Sequence, residues 1–180
     1  MQEGYSRQKL IEERINKTKD AAVMSLKLIR QMVMDFLINQ KGYHAEDIES
    51  DREFEIIMDD RKTSTSADYI IRLNAKRLIV IKCSPGALES RDRHLISFAR
   101  VVDSHQIPFA VVTDGSHARL LDAVSGKLIS EGLDSIPNRS EALKALNSIE
   151  FIPYPAERME REKRILLAFD TIKCTEEACE

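Results

Sequence analysis

The chain has 180 residues, 43% of them hydrophobic and 32% charged, enough to bury the core of a single ordinary domain. A formal net charge of −3 excludes a uniformly basic nucleic-acid binder, and three cysteines, an odd number, exclude a disulfide framework built on intrachain pairs alone. There is no run of 18 apolar residues that would cross a membrane and no basic-then-apolar start of a secretory leader, so a cytoplasmic protein with no membrane partner is expected.

Residues 1–18 are polar with Leu10, Ile11 and Ile15 at helical spacing, and they predict a short amphipathic extension. From Asp20 to Gln40 two adjacent stripes, Met24-Leu28-Met32-Phe36 and Leu26-Ile29-Val33-Leu37, predict a helix buried over a wide face. Gly42 is its natural stop. Phe54 to Met58 reads as a strand, Asp59 to Lys62 as a turn, and residues 61–66 as a polar connection.

The next stretch, Tyr69 to Leu73 and Leu78 to Ile81 about a turn at Asn74-Ala75-Lys76, reads as a β-hairpin. Asp68 opens its first strand and Lys82 closes its second, and both charges adjoin residues expected to be buried. Val80 and Lys82, two apart, share one face of their strand, and Ile79, Ile81 and Cys83 share the other.

A helix follows from Leu88 to about Ser104, with Leu95, Phe98, Ala99 and Val102 toward a sheet. His94 on it is expected at the helix surface, the rival reading being a phosphate or metal contact. Pro108 to Val112, Ala118 to Ala123 and Lys127 to Ile129 read as strands, the first returning parallel beside the hairpin to give a mixed sheet. Glu141 to Ser148 is a helix with Leu143 and Leu146 inward. Pro153 and Pro155 break the chain before a charged helix, Glu157 to Thr171, with Met159, Ile165, Leu166 and Phe169 on one side. Cys174 and Cys179 form a C-x₄-C pair that could hold a metal together with Cys83 or a His elsewhere; it lacks the second pair that structural zinc needs, and a disulfide or no bond at all are the rival readings.

Charge is unevenly placed. Residues 35–60 hold nine acids against Lys41 and Arg52, whereas residues 61–100 hold nine bases against Asp68, Glu89 and Asp92. Pairing across neighbouring strands is the plainer expectation, and a local field favouring phosphate the sharper one.

Several of these pieces, in order, carry a resemblance: Gly42-Tyr43, Asp68, Lys82 with Pro85-Gly86, Val112-Thr113-Asp114-Gly115 and Leu120-Leu121-Asp122. From about Met32 to about Leu143 the sequence resembles the N-terminal domain of the type I restriction enzyme R subunit, within the PD-(D/E)xK nuclease superfamily. The resemblance implies an α/β restriction-endonuclease-like fold, a mixed central sheet flanked by helices, over residues 19–150. Helical segments at 1–18 and 151–180 would extend it.

The resemblance also implies that Asp68 would ligate Mg²⁺ and that Lys82 would orient the attacking water. The acid of the family's Glu-x-Lys is missing, however. It falls on Val80 if Lys82 is the family Lys; if Lys82 takes the Glu position, the Lys position is Ser84. Where many superfamily members have Gln-x-x-x-Tyr on the following helix, this sequence has His94 and Phe98. Glu55, Glu89 or Asp35 are the candidates to rebuild the site.

Association with nucleic acid, DNA first, is therefore expected ahead of cleavage, with Arg72, Lys76, Arg77, Arg91 and Arg93 as phosphate contacts. The alternatives are an active Mg²⁺-dependent endonuclease with a relocated acid, and a non-catalytic assembly module forming a homodimer or meeting a partner protein through the terminal helices. R subunits carry a helicase motor downstream; no motor motif is found in these 180 residues.

Overall fold

The computed structural model describes residues 7–58 and 61–177. Eight strands and four helices follow one another: α1 (Arg7–Asn39), β1 (Ile48–Ser50), β2 (Glu53–Met58), β3 (Arg61–Ser66), β4 (Tyr69–Leu73), β5 (Lys76–Cys83), α2 (Glu89–Val101), β6 (Phe109–Thr113), β7 (Ala118–Asp122), β8 (Lys127–Glu131), α3 (Arg139–Leu146) and α4 (Ala156–Glu177). Six strands form one sheet in the order β1-β4-β5-β6-β7-β8, and β2 pairs with β3 apart from it. The β5–β6 pair is parallel and the other pairs are antiparallel, so the large sheet is mixed as expected.

Alternation along the central strands separates two cores. Ile79, Ile81, Val111 and Leu120 join Ile29, Val33 and Leu37 of α1 and Ala142 of α3. Val80, Ala110, Val112 and Leu121 join Leu95, Phe98 and Ala99 of α2 and Leu166 of α4. Because successive strand residues point to opposite faces, α1 and α3 cover one side of the sheet, and α2 and α4 the other. The parallel β5–β6 step is bridged by α2, the connection a parallel pair requires.

The hairpin is tighter than its sequence suggests. Asn74 and Ala75 have φ of 47° and 63°, and Leu73 is paired directly with Lys76. Two central residues with positive φ make the loop that matches strand twist, and Lys76 belongs to the strand. At the end of α1, Gly42 takes φ of 72° while Tyr43 N–H donates to Leu37 O, as a left-handed helix stop does.

Four local expectations are corrected. Residues 61–66 are strand β3, not a connection; every residue of β2 from Glu53 to Met58 has a partner on it. Ile48–Ser50, which carries no strand signal in the sequence, is a short edge strand on β4. The two N-terminal helices are one, α1, and only one of the two expected stripes is buried, with Leu28 at 61% and Met32 at 42% exposure. An outer helix on a sheet needs one apolar stripe, so Leu28 and Met32 of the second are exposed, while its Phe36 still packs against the core.

The fourth concerns His94, which is 1% exposed and not at the surface. Its Nε2 lies 3.1 Å from Asp170 Oδ1, and its ring meets Phe169 at 5.2 Å. Helix α4 supplies both contacts, so its apolar side is docked on α2. Cys179 and the Cys174 side chain lie outside the described residues. Among the described residues no helix is long and apolar enough to cross a membrane.

Candidate functional site

The hairpin register places Asp68 and Lys82 together. Tyr69 pairs with Ile81, so the next residues outward, Asp68 and Lys82, meet where the ladder ends. Asp68 is 5% exposed, and its Oδ2 accepts the Cys83 N–H at 2.8 Å and lies 3.2 Å from Lys82 Nζ. On its other side Oδ1 faces Arg30 Nε of α1 at 3.4 Å, a charge contact rather than a hydrogen bond. The Arg30 guanidinium also pairs with Asp51, whose N–H donates to Asp68 O at 3.2 Å. Tyr69 fixes the arginine by donating its hydroxyl to Arg30 O at 2.8 Å. The result is a row, Asp51–Arg30–Asp68–Lys82, of alternating sign along one end of the sheet.

Arg30 and Asp51 were not foreseen. Asp51 comes beside Asp68 only once β1 is placed on β4, and Arg30 lies one position past the buried Ile29, at the margin of the stripe that meets the sheet. Cys83 points into the α1 side of the core and carries a masked thiol. Burial first, and the Asp68 charge second, push it up to about 12, so it is no nucleophile at neutral pH.

The expected helper acids are elsewhere. Val80 is fully buried against α2. Glu55 pairs with Lys62 at 3.0 Å on the small sheet, Glu89 pairs with Arg119 at 3.3 Å, and Asp35 is exposed on α1. Ser84 is buried, its N–H held by Thr113 O at 2.9 Å. Among the described residues no three His, Cys, Asp or Glu side chains group as metal ligands.

A divalent cation of the kind the resemblance implies needs two or more carboxylates or other oxygens around it. These residues do not fit one. Asp68 is surrounded by a backbone N–H, an ammonium and a guanidinium, and an apolar side chain stands at Val80.

The predicted phosphate contacts are only partly uncommitted. Arg77 is bidentate to Glu49, at 3.1–3.3 Å, reaches Asp103 at 2.9 Å, and lies over the Phe54 ring. Arg93 is bidentate to Glu162 at 2.7 and 2.8 Å. Arg72 makes one long 3.8 Å contact with Glu49 and is half exposed, Lys76 stands 5.3 Å over the Phe151 ring, and Arg91 has no ion-pair partner among the described residues. Ion pairing within the fold, across strands for Lys62–Glu55 but between α2 and α4 for Arg93–Glu162, thus takes up part of this positive charge.

The model of the family described as type I restriction enzyme R protein N terminus matches residues 27–137. The chain belongs to that family. No curated protein and no solved structure matches it. The shared segment opens just before Arg30, contains all eight strands and the whole Asp68 row, and closes one residue before Asn138, the cap of α3. Helix α4, which covers α2, lies beyond it. In this member of the R-protein N-terminal family the sheet end that holds Asp68 is therefore closed by internal charges.

Proposed function

We propose that this R-protein N-terminal domain associates with nucleic acid through its phosphates and does not cleave them. The observation that carries the reading is the state of Asp68. A carboxylate whose two oxygens already face Lys82, Arg30 and the Cys83 N–H has no open side for a metal-activated water. Family membership supports nucleic acid as the partner. Lys76, Arg72 and Arg91 are the hairpin-side cations left for phosphates.

A second reading, assembly through α1, is favoured by the exposure of Leu28 and Met32 one turn apart. Native gels of a labelled DNA duplex in Mg²⁺ at low salt separate the possibilities. A retarded, full-length duplex whose retention weakens steeply with salt is expected, because each neutralised phosphate contributes about −0.9 to the slope of log K on log salt. Shortened duplex would overturn the loss of cleavage. An absence of retardation at low salt would favour assembly.

A further inference from the structure

Away from the Asp68 row, the start of α4, helix α2 and the turn after β7 enclose a pocket of about 550 Å³, within the ordinary size range of small-ligand sites. Four arginines line it, Arg93, Arg100, Arg158 and Arg161, against one carboxylate, Glu162, leaving a net charge of three positive among these groups. Their roles differ.

Arg100 is bolted to the turn, donating from Nε to Ala123 O at 2.8 Å and from Nη2 to Val124 O at 3.1 Å, and it reaches Glu162 at 3.3 Å. Arg93 clasps the same carboxylate with both nitrogens of its fork. Glu162 also accepts from Ser97 at 3.0 Å and Tyr154 at 3.0 Å, so its capacity is spent on groups already in place.

Arg158 and Arg161 are not accounted for in this way. They stand three residues apart at the start of α4, both exposed, and among the described residues neither has a partner. With one carboxylate for four guanidinia, the concavity keeps an excess of positive charge that an entering anion would neutralise. The first turn of a 22-residue helix adds the positive end of its dipole at the same place. The forked guanidinium pairs bidentately with the oxygens of a phosphate or a carboxylate, and the excess of positive charge here favours the more highly charged phosphate.

We propose that this pocket binds a phosphate group. The guanidinia of Arg158 and Arg161 grip it, and Arg93 and Arg100, held by Glu162, fix the floor. The chemistry is shared by a free phosphate ester such as a nucleotide and by a nucleic-acid backbone, and the pocket does not depend on the DNA reading above. The three α4 residues lie beyond the segment shared with the family, whereas Arg93, Arg100 and the turn after β7 lie within it, so the site is completed by α4.

Titration calorimetry at low salt with inorganic phosphate, ATP and a short DNA duplex tests it, on the wild type and on Arg158→Ala/Arg161→Ala. A second variant, Lys27→Ala/Lys144→Ala, which replaces exposed lysines of α1 and α3 on the other side of the sheet, serves as control. Both replaced α4 side chains are exposed, and an unchanged Tm checks the fold. The wild type should bind at least one probe, and the α4 variant should bind it about tenfold or more weakly, while the control variant keeps the affinity for phosphate and ATP. Binding of phosphate or ATP that weakens in the α4 variant marks a ligand pocket; binding of duplex alone, lost in the α4 variant, marks a nucleic-acid contact. If no probe binds more weakly to the α4 variant, the pocket is overturned, and duplex binding of that kind leaves the DNA reading standing. No binding of any probe would overturn both.

Discussion

Replacing Asp68 with alanine should lower the stability of the fold by about 3 kcal/mol, the cost of removing one partner from a buried ion pair. Three groups lose their complement at once. The Lys82 ammonium, 13% exposed, is left without its only nearby carboxylate among the described residues. Arg30 Nε is already buried without a hydrogen bond, and it would lose the charge that faces it. The Cys83 N–H would lose its acceptor altogether. Each of these orphaned groups carries its own desolvation cost.

Asp68→Asn should cost about half as much, since an amide oxygen can still accept from Cys83 N–H while the charge is lost. The sign is what matters. In a cluster of mutually repelling metal-binding acids, removing one relieves strain and leaves stability equal or higher. Urea midpoints of the wild type and both variants, at unchanged slope, decide between the two arrangements. A midpoint that rises in Asp68→Ala would contradict the charge-closed row.

The second large effect is a pH dependence carried by Glu162. Burial alone would raise this carboxyl, but hydrogen bonds from Arg93, Tyr154 and Ser97 outweigh it and hold the pKa at about 2, against an ordinary value of 4.5. A folded-state pKa below the unfolded one means that the unfolded chain binds the extra proton. The stabilisation is therefore complete above about pH 5 and is lost as pH falls from about 4.5 toward 2. Its size is about 3 kcal/mol, from 1.36 kcal/mol per unit.

Asp47, Asp103 and Asp114 are lowered too, burial being outweighed by donors such as Arg139, Arg77 and the backbone. The acid limb of the wild type is thus a sum. Glu162→Gln isolates one part of it: the difference in urea midpoint between variant and wild type should shrink by about 3 kcal/mol in free energy between pH 5 and pH 2. A difference that stays constant with pH would mean that the Arg93–Glu162–Arg100 clasp does not form.

What could be read in the sequence followed the strength of local pattern. The hairpin, β6, β7 and α2 carry apolar runs of the right period between turn residues, and the Asp68–Lys82 meeting follows from hairpin register alone. Strand β3 is Arg-Lys-Thr-Ser-Thr-Ser, with no apolar residue to alternate, and it becomes a strand because β2 offers a ladder. Strand β1 has three residues, too few to show a period.

His94 looked like a surface residue because its carboxylate partner, Asp170, is 76 positions away on a helix whose docking the sequence does not announce. Arg77 and Arg93 looked available for phosphate for the same reason. Their acids, Glu49, Asp103 and Glu162, lie 26 to 69 residues distant. The pocket at the start of α4 was hidden in the same way, since its four arginines converge only when α4 lies on α2.

The most direct test of the central claim, that Asp68 is closed by Lys82 and Arg30 and not held open for a cation, is calorimetric titration of Mn²⁺ into the wild type and Asp68→Asn in parallel. No saturable heat is expected in either protein. Saturable Mn²⁺ binding in the wild type that disappears in Asp68→Asn would contradict it, and would return this sheet end to the metal-dependent nucleases.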